Sequence, residues 1–228
     1  MQVVILADGA VGSREALDAV WAGWLDPGAA VIAADGGARH ASALGLRIDR
    51  WVGDGDSLGE VGIAELRASG VDIDRHPLDK DQSDTELAIV AALERAPQSI
   101  AILGALGGRR VDHALANVTL LSMPALAGID VRIIAVDARI RLLRAPMPDG
   151  GPADVELDGR TGDLVTLLPV GGEAVGITTS GLEYALDDDT LVEGLTRGLS
   201  NERTTPVVRV QLRSGRLLVI ETPATLSR

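Results

Sequence analysis

The chain contains no cysteine. That removes disulfide frameworks, thiolate nucleophiles and zinc–cysteine centres together, and it fits a reducing compartment. Aromatic residues are nearly as scarce, at 2% of 228 residues, with no Phe, one Tyr and three Trp. So few rings cannot pave a surface that stacks the bases of a nucleic acid. Positive charge is in deficit too: 21 Lys and Arg stand against 33 Asp and Glu, a net charge of −12. A field of that sign repels polyanions, which excludes nonspecific binding to nucleic acid and to anionic membranes. Long apolar runs are also missing. The stretch at residues 3–7 has no positive charge before it and meets Asp8 at once. It is too short for a signal peptide or a membrane span, so a cytoplasmic chain without a membrane partner is expected.

What is present is aliphatic. Hydrophobic residues make up 46% of the sequence, enough for a large core. Short β-type runs at residues 3–7, 30–34, 51–52, 71–74, 100–103 and 131–136 alternate with segments of helical period. That alternation predicts parallel strands joined by crossover helices. Leu17, Val20, Trp21 and Trp24 share one helical face behind Ser13 as N-cap, and the two tryptophans read as core packing. Ser83 with Glu86 has capping-box spacing ahead of Leu87, Val90, Ala91 and Leu93. A third helix is expected over 111–122, stopped by Pro124. The cluster Pro146, Pro148, Asp149, Gly150, Gly151, Pro152 interrupts this pattern. Beyond it lie short β-type runs at 154–157, 164–168, 174–178, 207–212 and 217–220, the last two joined through Ser214-Gly215 as a hairpin. The expected fold is therefore an N-terminal, mostly parallel α/β domain over 1–146 and a small antiparallel β-sandwich over 153–228.

Acids and glycines collect after the predicted strands, where open α/β sheets place their ligands. Ala34-Asp35-Gly36-Gly37 fits either a phosphate-approaching backbone or an ordinary strand-to-helix turn. In Gly53-Asp54-Gly55-Asp56-Ser57 two carboxylates can converge on one hard cation, or Asp56 can cap the next helix. Within Lys80-Asp81-Gln82-Ser83-Asp84-Thr85, Asp84 suits both a helix N-terminus and a third cation ligand, and Lys80 offers a mobile positive charge. The run from Gly104 to His113 places glycines and then Arg109 and Arg110 before a helix, a recipe for holding phosphate. It matches neither a P-loop nor a dinucleotide fingerprint, and no G-x-S-x-G nucleophile is present. His40, His76 and His113 lack metal-type spacing.

Taken in order, ADGG, GDGDS, KDQSDTE and GALGGRRVDHALAN resemble the motif series of the thiamine pyrophosphokinase family. The resemblance continues through Gly176–Tyr184 and Leu199-Ser200-Asn201-Glu202. It implies transfer of pyrophosphate from ATP to the hydroxyl of thiamine, giving thiamine diphosphate and AMP, in a homodimer whose active sites are shared between subunits. Carried over by motif, Asp54, Asp56 and Asp84 hold Mg²⁺. Lys80, Arg110 and Asp112 surround the transferred group. Asp35, Gly36, Gly37, Ser83, Gly107 and Gly108 meet the nucleotide, and Thr178, Thr179, Tyr184, Ser200 and Asn201 meet thiamine. Three departures stand out: Gly55 where an aromatic residue is common, an extra Arg109, and Tyr184 in place of the Trp of some members. The spacing to Asp112 favours Arg110 over Arg109 as the phosphate contact. A sensor that binds without catalysis and a pyrophosphotransferase acting on another alcohol, such as a pterin, are the rival readings. The three acids argue against the first and the second-domain segments against the other.

Overall fold

A computed structural model of the protein describes residues 1–108 and 110–224. The chain divides into two compact units, Met1–Val136 and Asp137–Arg228.

The first unit is a parallel sheet with helical connections. Strands β1 (Gln2–Leu6), β2 (Ala30–Ala34), β3 (Arg50–Gly53), β4 (Asp72–Arg75), β5 (Ser99–Leu103) and β6 (Asp130–Ile134) lie in the order β6-β5-β1-β2-β3-β4, every neighbouring pair parallel. Helices α1 (Arg14–Val20), α2 (His40–Ala43), α3 (Gly59–Ala68), α4 (Asp84–Leu93) and α5 (Val111–Leu120) connect them. The caps form as the sequence predicts. Ser13 Oγ accepts from Ala16 N–H, and Ser83 Oγ accepts from Glu86 N–H, both at 3.2 Å. Asp56 caps nothing; the N-cap of α3 is Leu58.

Period-2 alternation divides the sheet's apolar residues between its faces. Val4, Leu6, Val31, Ala33 and Trp51 join Leu17, Trp21, Trp24, Leu44 and Ile63 in one core. Trp21 and Trp24 are buried there, and their indole N–H groups donate to Ala135 C=O and to Asp18. Ile5, Ile32 and Val52 leave by the other face, while α4 crosses β1, β2 and β3 with Ala88, Ile89 and Ala92 buried.

The second unit is a sandwich of two antiparallel sheets. It consists of β7 (Arg139–Ala145), β8 (Ala153–Asp158), β9 (Leu164–Pro169), β10 (Ala174–Ser180), β11 (Asp189–Leu191), β12 (Asn201–Glu202), β13 (Val207–Leu212) and β14 (Gly215–Thr222). One sheet has the order β12-β9-β14-β7 and the other β11-β10-β13-β8. Leu157, Val208, Val210 and Leu212 from one sheet and Val165, Leu167, Leu217 and Val219 from the other close a single core.

Two expectations change here. The units divide ahead of β7, so the proline and glycine cluster at 146–152 is a connection within the second unit, because β7 pairs along its whole length with β14. The hairpin expected at Ser214-Gly215 is absent: β13 and β14 belong to opposite sheets. Gly215 takes φ 100°, and a Cβ there would fall 2.4 Å from Glu173 C=O, so this glycine serves a crossing between layers.

A buried ion network supports this sandwich. Arg203 and Glu221, each 1% exposed, pair at 2.6 Å, and Arg139 binds both oxygens of Glu221 at 2.8 and 2.7 Å. Burial lowers the Arg203 pKa, opposed by Glu221. Neutralising an anion shared by buried guanidinium groups leaves uncompensated charge inside the fold. Glu221→Gln is accordingly expected to lower unfolding free energy by about 3–5 kcal/mol, read from the urea midpoint of the transition that follows the second unit. An unchanged midpoint contradicts this role.

Candidate functional site

The site in the first unit assembles from loops that leave consecutive strands. Asp35 follows β2, Asp54 follows β3, and Lys80 lies beyond β4 on the approach to α4, whose first residue is Asp84. Parallel strands emit these loops at the same edge of the sheet.

Carboxylate oxygens of Asp35, Asp54 and Asp56 lie within 4.8 Å of one another. Asp35 sits at the tightest point. It is 5% exposed, it holds φ 40°, and its C=O accepts from Trp51 Nε1–H at 3.0 Å. Its Oδ1 is buried without a hydrogen-bond partner. Burial raises its pKa; interactions with Ser57 and with Gly36 N–H partly offset this, and the charges of Asp84 and Asp56 add to the rise. A buried, unpartnered carboxylate oxygen facing two further carboxylates is unfavourable unless a cation joins it. The donor set is all oxygen and of one sign, which fits a hard divalent cation such as Mg²⁺.

Lys80 is the counter-charge. Its Nζ donates to Asp54 Oδ2 at 2.7 Å and pairs with Asp84 Oδ1 at 3.1 Å. Burial works against the ammonium charge, yet these two acids outweigh it and hold the Lys80 pKa above its ordinary value. The hydrogen bond from Lys80 lowers the Asp54 pKa, against the opposing effect of burial. Asp84 goes the other way: burial raises its pKa, with Lys80 only partly offsetting it. Backbone geometry tightens the loop further, since Asp54 Oδ1 accepts from Asp56 N–H and Asp56 Oδ1 accepts from Ser57 Oγ–H, both at 3.0 Å.

The structure thus gathers Asp54, Asp56, Lys80 and Asp84 and adds Asp35 to the convergent trio, whereas Asp84 joins through Lys80. Ser83 lies beside Asp84 as the cap of α4. Gly36 and Gly37 are buried in the 3₁₀ turn Asp35–Arg39, where a Cβ on Gly37 would fall 2.0 Å from Leu6 C=O. Their glycine identity serves close packing of the loops after β1 and β2. Two partners escape a reading by motif. Arg39 Nη2 pairs with Asp8, and Arg39 Nη1 reaches Ser57 C=O at 3.4 Å, so one guanidinium links the loops after β1 and β3. Asp8 carried a signal, for it follows β1 as Asp35 follows β2.

Gly107 and Gly108 lie in the loop between β5 and α5, and Arg110 is the residue ahead of α5. Arg110 Nε donates to Asp112 Oδ1 at 2.9 Å on an exposed face, which lowers the Asp112 pKa. Arg109 lies outside the described residues.

The residues expected to meet thiamine lie in the second unit. Thr178 Oγ1 accepts from Asp188 N–H at 3.1 Å and Thr179 Oγ1 from Leu186 N–H at 2.8 Å, so both hydroxyls brace the turn after β10. Ser200 is exposed with φ 55°, and its N–H donates to Thr166 Oγ1 at 2.9 Å. Tyr184 is 74% exposed, and Asn201 is buried beside it. Among the described residues no helix is long and apolar enough to cross a membrane.

Comparison with known proteins points one way. The sequence model described as "Thiamin pyrophosphokinase, catalytic domain" matches residues 24–133, and "Thiamin pyrophosphokinase, vitamin B1 binding domain" matches residues 154–217. A thiamine pyrophosphokinase of Bacillus subtilis (strain 168) is 30% identical over 150 residues, 66% of this chain and 67% of that one. Thiamin pyrophosphokinase 1 of Caenorhabditis elegans is 28% identical over 152 residues, covering 64% of this chain and 60% of its own length. Among solved structures, the Bacillus subtilis thiamine pyrophosphokinase superposes with a TM-score of 0.81 at 24% identity, covering 98% of this chain and 99% of the other. The Candida albicans thiamin pyrophosphokinase gives 0.76 at 16% identity, covering 97% and 88%.

Proposed function

The chain belongs to the thiamin pyrophosphokinase family, and from that premise we propose that it transfers pyrophosphate from ATP to the hydroxyl of thiamine, releasing AMP. The observation that carries this reading is the convergence of Asp35, Asp54 and Asp56 beside Lys80 at one edge of the parallel sheet.

In this reading the first unit is the ATP-binding, catalytic part, and the second takes thiamine through Tyr184 and the segments around Thr178, Thr179, Ser200 and Asn201. Asp35, Asp54 and Asp56 hold Mg²⁺, with Asp84 close by across Lys80. Bound Mg²⁺ supplies neutralisation of phosphate-oxygen charge. The other work falls to side chains. Lys80, fixed between Asp54 and Asp84, presents a permanent positive charge to the transferred group, and Arg110, oriented by Asp112, presents a second. Ser83, Gly107 and Gly108 line the nucleotide's approach, while Gly36 and Gly37 pack the loop that carries Asp35. A primary alcohol attacking through a loose transition state depends on alignment more than on a strong base. The exposed Tyr184 ring offers a π face to the cationic heterocycle of thiamine.

Titration follows from the same groups. Asp35 and Asp84 have raised pKa values, so acidification protonates them before ordinary aspartates and removes cation-binding charge. The apparent Mg²⁺ affinity of the nucleotide-free chain is expected to weaken on the acid side above the usual aspartate range, and weakening confined to that ordinary range contradicts their part in the site.

The reading carries a cytoplasmic homodimer, expected to sediment at twice the mass of one chain. Its central test is Asp54→Ala, with turnover followed against Mg²⁺ concentration. A loss of about 10²-fold or more in a folded variant is expected; near-normal turnover overturns the assignment.

A further inference from the structure

Asn201 was grouped above with the residues that meet thiamine, but its carboxamide is already engaged. Asn201 Oδ1 accepts from the N–H of Tyr184 at 3.0 Å, and Asn201 Nδ2 donates to the C=O of the same residue at 2.7 Å. Only one amide orientation satisfies both bonds, so the side chain holds a fixed direction.

Backbone pairing around it explains why a side chain takes this part. Thr204 N–H donates to Gly181 C=O at 2.9 Å, Leu182 bridges Arg203 in antiparallel fashion, and Glu183 N–H donates to Glu202 C=O at 2.9 Å. The chain at 181–183 therefore runs against 202–204 like a short ladder. Pairs in such a ladder alternate between hydrogen-bonded and not, so the N–H and C=O of the next residue, Tyr184, face away from the backbone of residue 201, which itself pairs with Val165 of β9. The Asn201 carboxamide, the side-chain copy of a peptide group, supplies the donor and acceptor that Tyr184 takes there. Its own position is firm, because Asn201 is 9% exposed and Arg203, two residues on, is anchored to Glu221.

We propose that Asn201 is a positioning residue. It fixes the backbone from which the exposed Tyr184 ring projects, and it acts on the substrate through Tyr184 without touching it. This rests on the thiamine reading above, so its test has one arm that needs no ligand.

The first arm is amide hydrogen exchange of the unliganded, full-length chain. Asn201→Ala is expected to speed exchange at Tyr184 by about tenfold or more, with peptides from the first unit unchanged. Asn201→Asp, of the same shape, keeps the acceptor for Tyr184 N–H and loses the donor, so its protection is expected to fall between the other two. It serves as the readout if the alanine variant misfolds. The second arm is a double-mutant cycle on thiamine affinity measured by calorimetry. Asn201→Ala alone is expected to weaken thiamine binding about tenfold without changing ATP affinity, and to add nothing in a Tyr184→Ala background. Equal weakening in both backgrounds means direct contact and overturns the proposal, as does unchanged exchange at Tyr184. A wild-type chain that binds no thiamine overturns the thiamine reading instead, and the exchange arm then decides the brace alone.

Discussion

Asp35→Asn is expected to cut turnover by about 10²-fold or more while making the ligand-free protein more heat-stable by ~2–4 °C, roughly 1 kcal/mol. Both effects come from one buried charge. Asn keeps the shape of the side chain and tolerates the left-handed backbone that Asp35 adopts. It removes a carboxylate whose Oδ1 is buried without a partner and whose pKa burial raises. A carboxyl with a folded pKa above its unfolded value costs stability where it is ionised in both states, at neutral pH. That cost disappears below the unfolded pKa, so the advantage of Asn over Asp is expected to shrink on acidification. Melting curves at neutral and acid pH, without Mg²⁺, check the sign. A variant less stable than wild type at neutral pH, or one with full turnover, contradicts the assignment.

Lys80→Met is expected to lose turnover by about 10²–10³-fold even at saturating Mg²⁺. The ammonium group is the shared partner of Asp54 and Asp84 at 2.7 and 3.1 Å, and its removal leaves these two acids facing Asp35 and Asp56. Breaking a nearly buried pair from one side costs about 3 kcal/mol, so the ligand-free variant is expected to melt well below wild type. Mg²⁺ binds the folded state alone and recovers much of that loss by mass action, but it cannot replace a charge aimed at the transferred group. Stability that returns with Mg²⁺ while turnover does not is the expected signature. Turnover that returns together with stability makes Lys80 a structural counter-ion only.

Much of the first unit is legible in the sequence because its signals are local. Strand β2 at 30–34 is an unbroken aliphatic run, and the cap at Ser83 announces α4 three residues ahead of Glu86. The acid loops after β2 and β3 are visible for the same reason, each following an apolar run. What cannot be read locally depends on distant partners. Strand β7, with Arg139, Arg141 and Arg144 among its aliphatic residues, gives no apolar signature; Arg139 is buried because Glu221 meets it from 82 residues away. A turn at Ser214-Gly215 predicts a reversal, but not which sheet receives the next strand. The part of Asp35 is hidden likewise. A left-handed residue capped by Trp51 brings its carboxylate to Asp54 and Asp56, and no spacing within ADGG announces that. In the second unit, resemblance alone assigns Asn201 to the substrate, and no sequence pattern announces its hydrogen bonds to the backbone of Tyr184.

The most direct measurement is the product pair formed from thiamine, ATP and Mg²⁺ by the purified full-length chain, separated by chromatography. Thiamine diphosphate and AMP in equal amounts are expected. ADP with thiamine monophosphate, or no product from a folded protein that binds both substrates, would contradict pyrophosphate transfer.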